Sequence, residues 1–203
     1  TCDCCQTDVA VTAEGLVAVY RDRSEGEVRD IYASRWLEAG WSEGVPVHED
    51  GWVIEGCPVN GPAVAALGDQ VAVAWFTAPD DAPRVMVAFS QDGGATFGEP
   101  VRIDGGSPAG RVDALMRADG SALVTWLERT GGETAEVRMR LLASDGTLSL
   151  PRRVTSSTAA RASGFPRVSA LPWDPESVLV AWTNVSGEEG SRVEVATVEV
   201  PRP

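Results

Sequence analysis

Four cysteines are the residues of this chain with the most distinctive chemistry, and their spacing is uneven. Three of them fall within the first five residues and the fourth lies much later: Cys2, Cys4, Cys5 and Cys57. Disulfide bonding would explain them if Cys57 pairs with one member of the cluster. A thiolate site for copper(I) or zinc is a second interpretation, because soft sulfur ligands suit these metals. Free or redox-active thiols are a third, and the sequence leaves all three open.

Charged side chains after the first apolar segment offer a different chemistry, the binding of an anionic sugar. The candidates in this loop are Arg21, Arg23, Arg29 and Asp30. A second group of ligand-binding candidates lies beside Cys57 and consists of Trp52, Glu55 and Asn60. An exposed tryptophan there would stack on a sugar ring, whereas a buried one would pack beneath its loop. A solvated charged loop is the alternative explanation for the arginines.

The overall charge argues against two classes of partner. The chain of 203 residues has 30 acidic and 17 basic side chains, and its formal net charge is −13. Such a surface repels a phosphate backbone, so the chain is not expected to bind nucleic acid. It contains no run of 18 apolar residues, so insertion into a membrane is not expected either.

A short apolar segment that ends in an aromatic residue occurs four times. The aromatic residues are Tyr20, Trp75, Trp126 and Trp182, and successive ones are 55, 51 and 56 positions apart. This period is typical of one four-stranded blade of a β-propeller. The segments are apolar at nearly every position, as expected for strands that are covered on both faces. The sequence therefore predicts an all-β protein with about four antiparallel four-stranded blades and no substantial helix.

The second period shows the expected order of strands most clearly. Strands are predicted over residues 63–67, 71–76, 85–89 and 100–103, with Gly, Asp and Pro in the turns between them. Extending the repeat over residues 1–203 gives a single partial propeller. Its blades are expected at about 8–50, 62–104, 111–155 and 166–203, and the last of them lacks a predicted fourth strand.

The most specific motif lies between the third and fourth strands of the second period. It reads Ser90-Gln91-Asp92-Gly93-Gly94-Ala95-Thr96-Phe97 and matches the Asp-box pattern S-x-D-x-G-x-T-[FW]. Its defining residues, expected to be structural, are Ser90, Asp92, Gly94, Thr96 and Phe97. In such a turn Asp92 accepts backbone N–H groups, a glycine takes a positive φ angle, and Phe97 packs against the blade. Degenerate copies occur at the same place in the first and third periods.

With this motif, the chain resembles the bacterial sialidase-like proteins that carry BNR, or Asp-box, repeats. Other segments that resemble this family are residues 2–8, 19–24, 29–32 and 56–62. The resemblance covers the whole chain and implies a six- or seven-bladed propeller, of which this chain would be the C-terminal half. The remaining blades would lie on a missing N-terminal part. The resemblance also implies export to the periplasm or the cell exterior.

The resemblance further implies that the full-length protein recognises or hydrolyses glycans, as exo-α-sialidases do. Sialidase chemistry needs an arginine triad for the substrate carboxylate, a tyrosine nucleophile paired with a glutamate, and an aspartate acid/base. Tyr20 and Tyr32 are expected to be structural, so no catalytic residue is predicted and the chain alone is not expected to cleave sialosides. The alternative is a non-catalytic scaffold or accessory subunit with a disulfide or metal site. The partner would be a carbohydrate or another protein.

Alternating strand directions sort the loops of a propeller onto two faces. Loops that precede the first strand or follow the second strand of each blade share one face, where propellers usually bind ligands. Asp-box turns lie on the other face. Both cysteine segments immediately precede the first strand of consecutive blades. Cys57 is therefore predicted to lie beside Cys2, Cys4 and Cys5, on the face opposite the Asp-box turn.

Overall fold

The computed structural model describes residues 1–185 and 190–202, which form sixteen β-strands in four antiparallel sheets. Helical structure in this part of the chain is limited to one 3-10 turn at Pro79–Asp81. The described residues include no helix that is long and apolar enough to cross a membrane.

The four sheets follow one another along the chain. Sheet 1 consists of β1 (Asp8–Val11), β2 (Leu16–Arg21), β3 (Ile31–Leu37), β4 (Gly40–Trp41) and β5 (Val45–His48). Sheet 2 consists of β6 (Ala63–Leu67), β7 (Gln70–Thr77), β8 (Arg84–Ser90) and β9 (Val101–Arg102). Sheet 3 consists of β10 (Ser107–Met116), β11 (Ala122–Gly131), β12 (Thr134–Leu142) and β13 (Arg152–Thr158). Sheet 4 consists of β14 (Gly164–Leu171), β15 (Asp174–Asn184) and β16 (Arg192–Glu199).

Each sheet carries the aromatic residue of the sequence repeat in its second strand. Tyr20, Trp75, Trp126 and Trp182 lie in β2, β7, β11 and β15. Each is paired with a residue eleven or twelve positions later in the third strand of its sheet. The predicted fold class, an all-β propeller of repeated antiparallel blades, is confirmed.

Apolar side chains form a core between each pair of neighbouring sheets. Trp75 lies in the core between sheets 1 and 2, Trp126 in that between sheets 2 and 3, and Trp182 in that between sheets 3 and 4. The strands β7 and β11 are buried along most of their length, because a sheet packs on each of their faces. In β2, by contrast, buried residues alternate with half-buried ones, so the expectation of two covered faces does not hold there.

The strands of sheet 2 agree with the predicted strands to within one residue at each end. Sheets 1 and 4 depart from the four-stranded repeat. In sheet 1, β3 first forms a short hairpin with β4 and then pairs with β5, which gives five strands. Sheet 4 has three strands in the part of the chain that the structure describes.

The turn after β8 is closed by hydrogen bonds from its own side chains. Asp92 Oδ1 accepts the N–H groups of Ala95 (3.1 Å) and Thr96 (2.9 Å), and its Oδ2 accepts the Thr96 hydroxyl (2.6 Å). The Ser90 hydroxyl donates to Asp92 (2.7 Å) and accepts the N–H of Gly94 (2.9 Å). These bonds, above all those from Thr96, lower the pKa of Asp92 to about 2.

This turn also packs against the preceding sheet. Gly94 has a φ of 86°, and a Cβ at this position would lie 2.8 Å from the Val17 side chain in β2. Phe97 packs against the core between sheets 1 and 2. Glycine is therefore required at residue 94 both by the backbone angle and by the close approach of sheet 1.

Two aspartates join the first strands of neighbouring sheets. Asp8 in β1 accepts the N–H of Val64 in β6 (2.9 Å), and Asp113 in β10 accepts the N–H of Val168 in β14 (2.7 Å). Asp113 also forms an ion pair with Arg167 (3.1 Å). Because Asp113 is buried, desolvation raises its pKa to about 6, against the lowering effects of Val168 and Arg167.

Asp113 should therefore make the stability of the fold depend on pH. The folded chain binds the Asp113 proton more tightly than the unfolded chain, in which the pKa of Asp is about 3.9. The stabilisation of the fold that comes from binding this proton is fully present below about pH 4, and it is lost as the pH rises through about 6. The free energy of unfolding of Asp113→Asn and of the unchanged protein can be measured in urea from pH 4 to 7. As the pH rises, the unchanged protein should lose stability relative to the variant, by at most about 3 kcal/mol. Parallel pH profiles for the two proteins would contradict this assignment.

Candidate functional site

The loops of the four sheets lie on two faces, which we call the cysteine face and the turn face. On the cysteine face the first strands begin, at Asp8, Ala63, Ser107 and Gly164. The turn face carries the hairpins between first and second strands and the turn that contains Asp92. A backbone hydrogen bond from the Ala13 N–H to the Gly68 carbonyl (3.1 Å) joins turns of sheets 1 and 2 on the turn face.

All four cysteines lie together on the cysteine face. Cys4 and Cys57 form a disulfide bond with Cα atoms 6.1 Å apart, and Cys2 and Cys5 are free thiols. The Sγ atom of Cys2 lies 3.1 Å from that of Cys5 and 3.6 Å from that of Cys4. The prediction that Cys57 meets the N-terminal cluster is confirmed, and the disulfide is the interpretation that the structure contains.

A thiolate metal site would draw on the same sulfurs. The Sγ atoms of Cys2, Cys4 and Cys5 all lie within 4.8 Å of one another, which is the scale of a site with metal–sulfur bonds of about 2.3 Å. In the structure, however, Cys4 and Cys57 are joined to each other and offer no thiolate. Binding of copper or zinc by all four cysteines would first require reduction of that disulfide, so the metal interpretation stays a prediction.

A pocket of about 560 Å³ opens beside the disulfide and contains several predicted ligand-binding residues. We call it the cysteine pocket; its lining residues are Cys2, Asp3, Cys4, Arg23, Glu27, Arg29, Glu55, Gly56 and Cys57. Glu27 pairs with Arg23 (2.6 Å) and with Arg29 (2.5 Å). Arg29 is buried, and its other terminal nitrogen donates to the Sγ of Cys2 (3.2 Å). The pocket thus brings a thiol and a buried guanidinium into direct contact.

Arg21, another predicted ligand-binding residue, is only 1% exposed and contacts backbone rather than solvent. Its guanidinium donates to the carbonyls of Asn60 (2.8 Å), Phe76 (2.5 Å) and Arg29. It also lies over the ring of Trp52, 4.9 Å from the centroid. Burial lowers the pKa of Arg21 to about 10, which still leaves it charged at neutral pH. Its role in the structure is to hold the loops of sheets 1 and 2 together.

Trp52 and Asp30 lie beneath the same loops. Trp52 is buried and packs edge-on against Phe76, with ring centroids 5.5 Å apart, so it does not offer a face to a sugar. Asp30 is also buried and accepts the N–H groups of Gly51 (3.2 Å) and Trp52 (3.3 Å). Trp52 therefore packs beneath its loop, and it is not exposed for stacking on a sugar ring.

Asn60 connects sheet 2 to sheet 3. Its side-chain amide donates to the Ala109 carbonyl (3.1 Å) and accepts the N–H of Arg111 (2.8 Å). Gly110, between these two residues, has a φ of 85°, and a Cβ there would collide with the Asn60 side chain. This contact fixes the start of β10 and the position of Arg111.

A second pocket, of about 450 Å³, lies on the cysteine face between sheets 2, 3 and 4 and is lined by three arginines. We call it the arginine pocket and define it by Arg111, Arg129 and Arg161, with Asp81 as its acidic lining residue. Arg111 is buried over the ring of Phe165 (5.0 Å) and donates to the Arg161 carbonyl (3.0 Å). Burial, and then the charges of Arg129 and Arg161, lower the pKa of Arg111.

The arginine pocket was missed by the sequence analysis. Among the described residues, none of its three arginines takes part in an ion pair. The available signal was the sorting of loops onto faces, because residues 104–110, 128–136 and 156–165 span the start of a first strand or the end of a second strand of a blade. Collecting the arginines in and beside those loops would have found the pocket. Only Asn60 of the predicted ligand-binding residues lines it.

Neither tyrosine of the chain lines the cysteine pocket or the arginine pocket. Tyr20 and Tyr32 stack on each other within sheet 1, with ring centroids 6.2 Å apart. Burial raises the pKa of both hydroxyls. A raised pKa makes a tyrosine less able to act as a nucleophile at neutral pH.

No known protein family matches the chain in sequence, and no curated protein does. Solved structures are similar to it. With the Hadza microbial sialidase Hz136 the TM-score is 0.59 at 19% identity, over 95% of this chain and 43% of that one. With the NanB sialidase from Streptococcus pneumoniae the TM-score is 0.55 at 12% identity, over 95% of this chain and 30% of that sialidase. With a thermostable family-43 glycoside hydrolase the TM-score is 0.57 at 12% identity, over 96% of this chain and 68% of that enzyme.

The chain has the propeller fold of sialidases and related glycosidases. At identities below 20% the similarity concerns the fold alone. This chain spans less than half the length of the two sialidases. The more specific resemblance to proteins with BNR repeats remains a prediction.

Arg21 can be tested as the residue that holds the loops of the cysteine face. Arg21→Met keeps much of the side-chain volume but leaves three buried carbonyls without their donor, so the free energy of unfolding should fall by about 3 kcal/mol or more. Urea unfolding followed by tryptophan fluorescence measures this change. Arg35→Met is the control and should cost less than about 1 kcal/mol, because the one ion pair of Arg35 within the described part of the chain is a long one with Glu14 (3.5 Å). Equal losses in the two variants would contradict the role given to Arg21.

Proposed function

We propose that the protein is an exported propeller that recognises glycans, and that this chain binds a carboxylate-bearing sugar in the arginine pocket. The observation that carries the proposal is the convergence of Arg111, Arg129 and Arg161 in one pocket of a chain whose net charge is −13. Guanidinium groups bind carboxylates in a two-pronged geometry, and a positive pocket on an acidic protein favours anionic ligands.

The shape and composition of the pocket support a sugar rather than a bare anion. Its volume of about 450 Å³ falls within the range of small-molecule sites. Phe76, Pro83 and Pro108 supply apolar surface, and Asn60 and Asp81 supply polar groups beside the arginines. An acidic monosaccharide has the corresponding parts: a carboxylate, apolar ring faces and several hydroxyl groups.

Recognition rather than hydrolysis is the function proposed for this chain. The pocket contains Asp81 as a potential acid, but neither tyrosine of the chain lines it. A tyrosine nucleophile would have to come from elsewhere in a longer protein. The sialidase Hz136 and the NanB sialidase, which share the fold, carry more than half of their length outside the matched region.

Export is part of the proposal and rests on the cysteines. The Cys4–Cys57 bond links the segment before sheet 1 to the loop before sheet 2. Disulfide bonds of this kind form and persist in oxidising compartments, such as the periplasm or the cell exterior.

An accessory scaffold is the second candidate function, and the cysteine pocket favours it. There Cys2, the disulfide and Arg29 line a pocket that the proposed binding of a sugar in the arginine pocket does not use. In such a subunit the arginine pocket would contact an acidic segment of a partner protein. The binding experiment below distinguishes the two functions.

Binding of sialyllactose, with lactose as the neutral control, tests the arginine pocket. Titration calorimetry of the unchanged protein at low ionic strength should show binding of sialyllactose only. Arg129→Gln and Arg161→Gln should each weaken it about tenfold or more, because each removes a charged hydrogen-bond donor. Both side chains are exposed, so these variants should fold.

Arg202→Gln is the matched control for these variants. Arg202 pairs with Glu176 (2.6 Å) near the turn face, away from the arginine pocket, and its substitution should leave the affinity unchanged. Added salt should weaken binding in the unchanged protein, since the attraction is between charges. Equal affinity for lactose and sialyllactose, or no loss in the Arg129 and Arg161 variants, would refute recognition by this pocket.

Turnover is expected to be absent in the same protein. The chain should release no product from a fluorogenic sialoside above a blank without protein, because Tyr20 and Tyr32 stack on each other within sheet 1 and neither lines the arginine pocket. The assay should run beside the binding measurement, on the same preparation. Measurable, saturable turnover by the 203 residues would show that the chain contains a nucleophile other than Tyr20 or Tyr32 and would contradict recognition without hydrolysis.

A further inference from the structure

We propose that Cys2 and Cys5 form a redox-active dithiol that reacts with disulfides entering the cysteine pocket. This site is separate from the arginine pocket and does not depend on the proposed binding of glycans. Its ligand class is a disulfide-bearing molecule, such as oxidised glutathione or a peptide disulfide.

The spacing and geometry of the two thiols carry the inference. Cys2 and Cys5 are three positions apart, the C-x-x-C spacing that redox-active dithiols use. Their Sγ atoms are 3.1 Å apart, so a bond between them needs only a small movement of the side chains. Cys4, which lies between them in sequence, is already bonded to Cys57. That disulfide fixes the segment and leaves Cys2 and Cys5 to react with each other.

The two thiols have different surroundings, as a nucleophile and a resolving thiol require. Cys2 lines the cysteine pocket with 7% of its surface exposed and accepts a hydrogen bond from the buried Arg29 (3.2 Å), whereas Cys5 is more exposed but does not line this pocket. Arg29 is only 4% exposed, and its Nε has no hydrogen-bond partner among the described residues. A buried guanidinium aimed at a thiol stabilises the thiolate, which is the reactive form.

The pKa directions agree with this assignment of roles. The pKa of the Cys2 thiol is lowered: hydrogen bonds from the Cys4 backbone, Cys5 and Arg29, and the charge of Arg29, outweigh the raising effect of burial. The pKa of Cys5 is raised, chiefly by burial and then by its contact with Cys2. The contact with Arg29 and the position in the pocket make Cys2 the attacking thiol and Cys5 the resolving one.

The reaction is an ordinary two-step thiol–disulfide exchange. The Cys2 thiolate attacks one sulfur of the incoming disulfide, forms a mixed disulfide and releases the first thiolate. Cys5 then loses its proton and attacks the Sγ of Cys2, which releases the second thiolate and forms the Cys2–Cys5 disulfide. The protein loses two electrons, the incoming disulfide gains them, and the protons of Cys2 and Cys5 pass to the two released thiols.

Equilibration of the unchanged protein in glutathione buffers of graded ratio tests the pair directly. After alkylation with iodoacetamide, mass spectrometry should count two modified cysteines in reducing buffers and none in oxidising ones, with a single two-electron transition. Peptide mapping should find Cys4 joined to Cys57 throughout and Cys2 joined to Cys5 on the oxidised side. Before oxidation, Cys2 should react with iodoacetamide several-fold faster than Cys5 at neutral pH.

Three variants separate the roles. Cys5→Ser should trap a stable mixed disulfide of Cys2 with glutathione, whereas Cys2→Ser should trap far less on Cys5. Arg29→Gln should slow the alkylation of Cys2 at neutral pH by about threefold to tenfold, because it removes the stabilising charge. Arg35→Gln, at an arginine that pairs with Glu14 instead, should leave this rate unchanged.

Two results would overturn the proposal, and both come from the unchanged protein. In the first, Cys2 and Cys5 stay alkylatable even in fully oxidising buffer. In the second, the purified chain carries stoichiometric zinc or copper, and both thiols become alkylatable only after a chelator removes the metal. The second result would assign these sulfurs to a thiolate metal site.

Discussion

The buried guanidinium of Arg21 donates to three backbone carbonyls, and these belong to separate segments that contain Arg29, Asn60 and Phe76. A charge at 1% exposure is stable only if its donors are satisfied, so the three segments must stay in place around it. Two of them belong to sheet 2 and its leading loop, while Arg21 belongs to sheet 1. Arg21 therefore holds three segments together at the junction of the first two blades on the cysteine face, beside the Cys4–Cys57 disulfide and the hydrogen bond from Val64 to Asp8.

The cysteine pocket and the arginine pocket lie on opposite sides of this junction. On one side, the loop held by Arg21 continues to Arg29, which contacts the thiol of Cys2. On the other, Asn60 leads to Arg111 and so to the arginine pocket. A change at Arg21 should consequently affect both sites, although they perform different chemistry. Cationic side chains outnumber carboxylates in the arginine pocket, whereas the cysteine pocket is lined by two arginines and three carboxylates.

The turn face differs in kind from the cysteine face. Its hydrogen bonds lie within turns or between neighbouring turns, as around Asp92 and at the Ala13–Gly68 contact. Phe97 and Gly94 pack this face against the preceding blade. Short turns with satisfied polar groups leave few unpaired donors, whereas the longer loops of the cysteine face place arginines and thiols in pockets. This difference in loop length explains why both candidate pockets lie on the cysteine face.

The sequence by itself determined the repeat, because each blade forms from neighbouring segments whose apolar patterns and turn residues are local. The strands of sheet 2, the aromatic residues of the second strands and the meeting of Cys57 with the N-terminal cluster were all predictable. Tertiary structure alone decided which cysteine bonds Cys57, since three sulfurs lay within reach of it. It also decided that Arg21 and Trp52 are buried and that Arg111, Arg129 and Arg161 converge. Those arginines come from two strands and a loop that are far apart in sequence. Burial likewise depends on the packing of distant segments, so a local sequence pattern does not predict it.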